Sequence, residues 1–174
     1  MQGSIERGEM DIMLSIAKFD RYDLANNPGD DKPAFTLWFS GCSMGCYNCQ
    51  NPSLQSKERG ESYEVKTVLF AICNECPKHN IDTVVLLGGE PLEQDLNDLV
   101  TLINKLKGYG YKVWLYTGWE FEDIPEPVKD GLHTIKCGRY IEELRCDGFP
   151  ASTNQKVLRK IDNKWEEINL GGNK

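Results

Sequence analysis

The sequence has little histidine, no long apolar run and no basic surplus. Only His79 and His133 occur in its 174 residues, so an imidazole-rich metal site cannot be assembled. No apolar stretch approaches the roughly 20 residues of a membrane-spanning helix. Residues 1–10 are polar and lack the apolar core of a signal peptide. They are expected to form a flexible extension upstream of the true start, and the cytoplasm is the expected location. The formal net charge is −7, and the longest basic cluster, residues 156–160 with Lys164, is interrupted by Val157, Leu158 and Ile161. That pattern suits the solvated face of a strand, whereas phosphate backbones need clustered Lys and Arg. Neither nucleic acid nor membrane is an expected partner. Internal repeats, low-complexity tracts and a domain boundary are also missing, so residues 11–174 read as one domain. A hydrophobic fraction of 40% is enough for a real core at this length.

What is present begins with alternation. Residues 11–19 (DIMLSIAKF) read as a strand with Ile12, Leu14 and Ile16 on one face. The Asn-, Pro- and Gly-rich residues 26–31 form a loop. Residues 35–39 (FTLWF) and 83–87 (TVVLL) are short apolar runs suited to buried strands, and residues 112–116 (KVWLY) and 132–136 follow them. Between these lie a helix over residues 63–76, capped by Ser62 and stopped by Pro77, and one carried by Leu96, Leu99, Val100, Ile103 and Leu106, ended by Gly108 and Gly110. A weaker helix is expected before Pro125 and Pro127. Residues 155–161 and 165–168 read as a terminal hairpin around Asp162-Asn163-Lys164. Strands alternating with helices argue for parallel βαβ units. They are too few for a closed eight-stranded barrel of about 250 residues. The fold class is therefore α/β, an open partial (βα) barrel with mostly parallel strands.

The chain holds seven cysteines, and three of them form Cys42-Ser-Met-Gly-Cys46-Tyr-Asn-Cys49. Clustered Cys in a reducing compartment point to metal or redox chemistry more than to a disulfide framework. Three thiolates on one short loop can converge on a soft metal centre, an Fe–S cluster, zinc or copper(I). A structural zinc site closes with four ligands, and no fourth Cys or His lies nearby. Three Cys on a 4Fe–4S cubane leave one iron open for chemistry. A zinc knuckle completed by a remote Cys remains the alternative on spacing alone. Cys73, Cys76, Cys137 and Cys146 are read as independent buried thiols, with a second zinc site as the lesser reading. His133 is expected as a hydrogen-bonded core residue, His79 as solvated, and Trp38 and Trp114 as core.

The C-x3-C-x2-C loop directly after FTLWF, followed by Gly88-Gly89-Glu90-Pro91 after the next core strand, resembles the radical S-adenosylmethionine (SAM) superfamily. Within it, four stretches are similar to the activating proteins of anaerobic (class III) ribonucleotide reductases: residues 22–29 (YDLANNPG), residues 41–52, Tyr116-Thr117-Gly118-Trp119, and Cys137-Gly138-Arg139-Tyr140 with Ala151-Ser152-Thr153-Asn154-Gln155. Three departures stand out. Asn48 replaces an aromatic residue, with Tyr47 one position earlier. Asp30-Asp31-Lys32 follows the first loop, and Cys137 stands where Asp is usual.

The resemblance implies a radical SAM oxidoreductase of the partial-barrel type, with one 4Fe–4S cluster on Cys42, Cys46 and Cys49. It places SAM against Gly88, Gly89, Glu90, Pro91, Thr117, Tyr47 and Asn48, with Glu90 accepting from the methionine ammonium. It implies that a flavodoxin-type reductant supplies an electron, that SAM is cleaved at C5′–S, and that the 5′-deoxyadenosyl radical takes hydrogen from a glycine in the large subunit of the reductase. Arg139 would meet SAM's carboxylate or the partner. Two further readings keep the radical chemistry: an activase of another glycyl-radical enzyme, or a small-molecule enzyme such as a 7-carboxy-7-deazaguanine synthase. A zinc-stabilised interaction module without catalysis is a third.

Overall fold

The computed structural model describes residues 13–170. The expected extension, residues 1–10, and the first two residues of the expected first strand lie outside that range. Eight strands form one sheet: β1 (Met13–Asp23), β2 (Ala34–Phe39), β3 (Glu61–Glu64), β4 (Thr83–Gly88), β5 (Lys112–Tyr116), β6 (Thr134–Cys137), β7 (Lys156–Ile161) and β8 (Lys164–Glu167). Their order is β3-β1-β2-β4-β5-β6-β7-β8. The central strands β2, β4, β5 and β6 pair in parallel. The flanks join antiparallel, β1 and β3 on one side and β7 and β8 on the other. The expectation of a mostly parallel sheet thus holds at its centre. The edge strands β3 and β8 do not meet, so the sheet is open.

Three helices make the parallel connections: α1 (Val65–Glu75), α2 (Leu96–Gly108) and α3 (Glu126–Gly131). Their apolar residues, among them Val68 and Ile72 of α1, Leu99, Leu102, Ile103 and Leu106 of α2 and Val128 of α3, share one core with Phe35, Leu37, Phe39, Val84, Leu86, Val113 and Leu115 of the strands. Side chains alternate along a strand. The neighbouring residues Ala34, Val85, Leu87 and Trp114 therefore form a second, smaller cluster on the other face, joined by Trp38, Tyr116 and Leu170. Among the described residues, no helix is long and apolar enough to cross a membrane.

Several expectations are corrected. Ser62 does not cap α1. It lies in β3 opposite Ser15, and the position before the helix is Glu64, whose side chain makes no cap bond. Before the prolines the weaker helix is only a 3₁₀ turn, Phe121–Asp123. α3 begins after Pro125 and places Pro127 in its first turn, where a missing N–H costs nothing. His133 precedes β6 instead of lying in it. It is half-buried with Nδ1 2.8 Å from Thr134 Oγ1, and burial lowers its pKa. The terminal hairpin forms as expected, turning on Asp162 and Asn163 at φ 47° and 61°, the backbone a two-residue turn requires.

Candidate active site

Parallel strands put their C-terminal ends on one edge, and the loops that leave those ends meet there. A cavity of about 380 Å³ opens at this edge, within the range of small-molecule sites. The loop after β2 brings Cys42, Met44, Cys46 and Cys49. β4 ends on Gly88 and the loop after it brings Gly89 and Glu90, that after β5 Thr117 and Gly118, and β6 brings Lys136. Trp38, Leu87, Tyr116 and Phe149 form an apolar and aromatic wall.

The cysteine loop is sewn in place by backbone bonds. Gly41 N donates to Leu54 O at 2.8 Å, Cys42 N to Gln55 O at 3.0 Å, and Glu90 N to Gly41 O at 2.8 Å. Glu93, one turn past Glu90, accepts from Ser43 N at 2.9 Å and from Ser43 Oγ at 2.7 Å. Burial pushes the Cys42 thiol above its usual range. Glu90, Glu93 and Cys46 add to this, and a backbone hydrogen bond at Met44 opposes it. A bound metal centre reverses that balance, because a coordinating thiol gives up its proton. Among the described residues, no three Cys, His, Asp or Glu side chains are gathered closely enough to share one metal ion. The three thiols instead line a common cavity, which suits a multi-iron cluster taking one thiolate per iron.

Glu90 is 1% exposed. Its Oε1 accepts from Leu92 N at 3.0 Å and Thr117 Oγ1 at 2.7 Å, and its Oε2 from Gly118 N at 2.8 Å. Burial raises its pKa, and these three donors only partly offset that. A carboxylate offers about four acceptor sites, so Oε2 retains capacity for one more donor. Thr117 is accordingly committed: its hydroxyl donates to Glu90 and accepts from Trp119 N at 3.0 Å.

Gly88 and Gly89 line the cavity, and close backbone packing also requires glycine at both positions. A β-carbon at Gly88 would stand 2.6 Å from the Phe39 backbone, at φ +118°, and one at Gly89 would stand 2.5 Å from Gly41 O. Both let the loop after β4 cross the end of β2. Of the other expected contacts, Pro91 is buried at the start of a 3₁₀ turn and does not line the cavity. Tyr47 is 75% exposed and Asn48 is exposed, and neither lines it. Asn48 has φ 51°, a left-handed position that Asn tolerates well.

Arg139 is brought to the cysteine loop rather than into the cavity, and its Nη2 donates to Met44 O at 2.6 Å. Trp114 is core, whereas Trp38 is only partly buried and faces the cavity. Cys76 and Cys137 are buried in the main core, Cys73 is exposed, and Cys146 donates to Pro150 O at 3.3 Å, so they do not assemble.

Sequence reasoning missed Glu93 and Lys136. Lys136 lines the cavity, and its pKa falls to about 8 through burial, with Glu90, Cys137 and Cys46 pulling the other way. The one available signal was a lysine at the C-terminal end of an expected strand, directly before Cys137-Gly138.

Several known proteins are similar to this chain. The family described as "4Fe-4S single cluster domain" matches residues 29–158. An anaerobic ribonucleoside-triphosphate reductase-activating protein of Enterobacteria phage T4 is 27% identical over 150 residues, which is 83% of this chain and 93% of the phage protein. A 7-carboxy-7-deazaguanine synthase of Methanopyrus kandleri is 32% identical over 120 residues, 60% of this chain and 47% of the synthase, so the chain spans about half of that relative. Among solved structures, QueE from Escherichia coli matches with a TM-score of 0.48 and 15% identity over 72% of this chain and 70% of that one. Most of its length being matched by that single-cluster family, the chain belongs to the radical SAM proteins that carry a 4Fe–4S cluster.

Proposed function

We propose that this protein is a radical SAM activase that generates a glycyl radical on an anaerobic ribonucleoside-triphosphate reductase. The observation that carries the reading is the match to the phage activating protein over 93% of that protein's own length. The relative has no large further domain that this chain lacks.

The donor set fits both groups the family implies. Cys42, Cys46 and Cys49 line one cavity and would each hold one iron of the cluster. In the same cavity stand one carboxylate, Glu90, and one ammonium, Lys136, a pair of signs suited to the zwitterionic amino-acid half of SAM. Bound there, cluster and SAM supply reductive cleavage of a sulfonium and hydrogen abstraction by the resulting carbon radical. The chain's own work is positioning. Thr117, Gly118 and Leu92 aim the Glu90 carboxylate, whose free site on Oε2 would accept a hydrogen bond from the SAM ammonium. Leu87, Trp38 and Tyr116 exclude water from the adjoining wall. The proposed partners are the glycyl-radical segment of the reductase and a flavodoxin-type reductant.

The test combines the anaerobically reconstituted, reduced protein with SAM and a class III reductase. A glycine-centred doublet in the electron paramagnetic resonance (EPR) spectrum is expected, with SAM consumed to methionine and 5′-deoxyadenosine. A reductase whose radical glycine is replaced by Ala should show no doublet. The 32% identity to a deazaguanine synthase supports a second reading. Efficient conversion of that enzyme's substrate, without a radical on the reductase, would replace the first.

A further inference from the structure

The segment from Gly138 to Gln155 joins β6 to β7 and forms part of the cavity wall through Tyr140, Phe149 and Gln155. Its two ends are tied together. Gln155 Nε2 donates to Gly138 O at 2.9 Å, and Asn154 Nδ2 donates to Arg139 O at 2.8 Å. Gln155 is 6% exposed, and its Oε1 accepts from Ser152 N at 3.3 Å. Gly138 holds φ +98° and donates its N–H to Trp119 O at 2.8 Å. This base fixes the backbone of Arg139, the first residue of the strap to leave it.

The guanidinium then does something unusual for an exposed arginine in a chain of net charge −7. Among the described residues it forms no salt bridge, and Nη2 donates at 2.6 Å to the carbonyl of Met44, midway between Cys42 and Cys46. The Met44 thioether packs against Gly118, where a β-carbon would overlap Sδ. Ser43 is held on its other side by Glu93. The following residue, Gly45, has φ +58° with nothing within 4 Å of a β-carbon position. Gly45 therefore adds no side-chain packing to the turn before Cys46, and Arg139 makes the only side-chain hydrogen bond to the Met44–Gly45 peptide among those described.

We propose that Arg139 is a positioning residue that sets the direction of Cys46 by pinning the Met44 carbonyl, with the Asn154–Gln155 latch holding Arg139 in register. This rests on the reading of Cys42, Cys46 and Cys49 as cluster ligands. It gives the Cys137-Gly138-Arg139 and Asn154-Gln155 stretches one shared task.

The test uses anaerobically reconstituted holoprotein. Arg139→Ala should release iron to a chelator about tenfold faster than wild type, the equivalent of losing one charge-assisted hydrogen bond at the weak end of its range. The EPR spectrum of the reduced cluster should shift, while the melting temperature of the iron-free form stays unchanged. Arg139→Lys keeps one charged donor and should recover most of the slow release and the wild-type spectrum. Asn154→Ala, which loosens the base without touching the loop, should fall between. Wild-type iron release and spectrum in Arg139→Ala would overturn the proposal. So would equal losses in Arg139→Lys and Arg139→Ala. A wild-type protein that takes up no iron would instead overturn the ligand assignment, and the proposal with it.

Discussion

The two faces of the parallel strands have the same backbone and different uses. On β4, Val84 and Leu86 turn toward the three helices, while Val85 and Leu87 turn away. On β5, Val113 and Leu115 oppose Trp114 and Tyr116. The helix-covered face is aliphatic and deeply packed. The other face carries a small, aromatic cluster whose strand ends open into the cavity. Dense packing on one face supplies the stability that lets the other keep a hollow with buried charges such as Glu90. Lesions should therefore separate: stability is lost from one face, and binding from the other.

The sharpest break lies at the cavity edge. Cys46→Ser is expected to abolish the cluster's charge-transfer absorbance and SAM cleavage altogether, with little change in the melting of the iron-free protein. Cys76→Ala should leave both iron and cleavage in place and weaken the core instead, because Cys76 is buried there. Loss of iron from the Cys76 variant, measured by iron content per chain, would reverse the assignment of the two cysteine groups.

Adjacent residues on β4 test the comparison within one strand. Leu86→Ala should cost about 2–5 kcal/mol of stability, as large-to-small changes in a packed core do. Leu87→Ala should cost less by urea titration, because Leu87 borders the cavity and its loss leaves less packed surface unfilled. It should weaken SAM binding where Leu86→Ala does not. Equal stability losses and equal SAM affinities would erase the distinction between the faces.

Glu90→Gln is the next test. The amide preserves shape but presents an N–H where Oε2 accepts, so SAM affinity should fall about ten- to a hundredfold in a protein that keeps its cluster. Calorimetry that found unchanged affinity would remove Glu90 from the site.

The smallest effect belongs to Asp23, at the end of β1. Burial alone would raise its pKa, but hydrogen bonds from the Asn26 side chain and from the backbone N–H groups of Ala25 and Asn26 help bring it below the usual carboxylate value. Asn26 O in turn accepts from Tyr116 Oη at 2.9 Å, so Asp23 steadies the cavity wall from outside. A lowered pKa stabilises the fold above the unfolded value of about 3.8 and loses that contribution as pH falls through the folded pKa. Asp23→Asn should cost about 1 kcal/mol at pH 7, and the difference from wild type should vanish near pH 2. A difference independent of pH would mean that the charge of Asp23 contributes nothing.

Much of this molecule was legible in its sequence because short-range patterns encode it. Period-two alternation located β1, short apolar runs located β2, β4 and β5, and the apolar spacing of α2 survived intact. The two motif loops fell at strand ends, where parallel topology brings them together. Failures arose where long-range packing decided. The segment Glu61-Ser62-Tyr63-Glu64 has no apolar alternation, yet it pairs with β1 as an edge strand, so Ser62 looked like a helix cap. The pair Gly88-Gly89 carried a visible signal, but the close packing it permits is against Phe39 and Gly41, far away in sequence. Arg139 and Glu93 reach the cysteine loop from positions 95 and 50 residues away. Nothing in local composition specifies such partners.

The central claim is that one cavity, at the C-terminal ends of β2, β4, β5 and β6, holds both cluster and SAM. The most direct measurement is a SAM titration of the reconstituted, reduced protein followed by the EPR spectrum of its cluster. The spectrum should change and saturate at one SAM per chain, with Glu90→Gln requiring about ten to a hundred times more SAM. A spectrum that stayed the same while calorimetry registered SAM binding would place the two groups apart and contradict the claim.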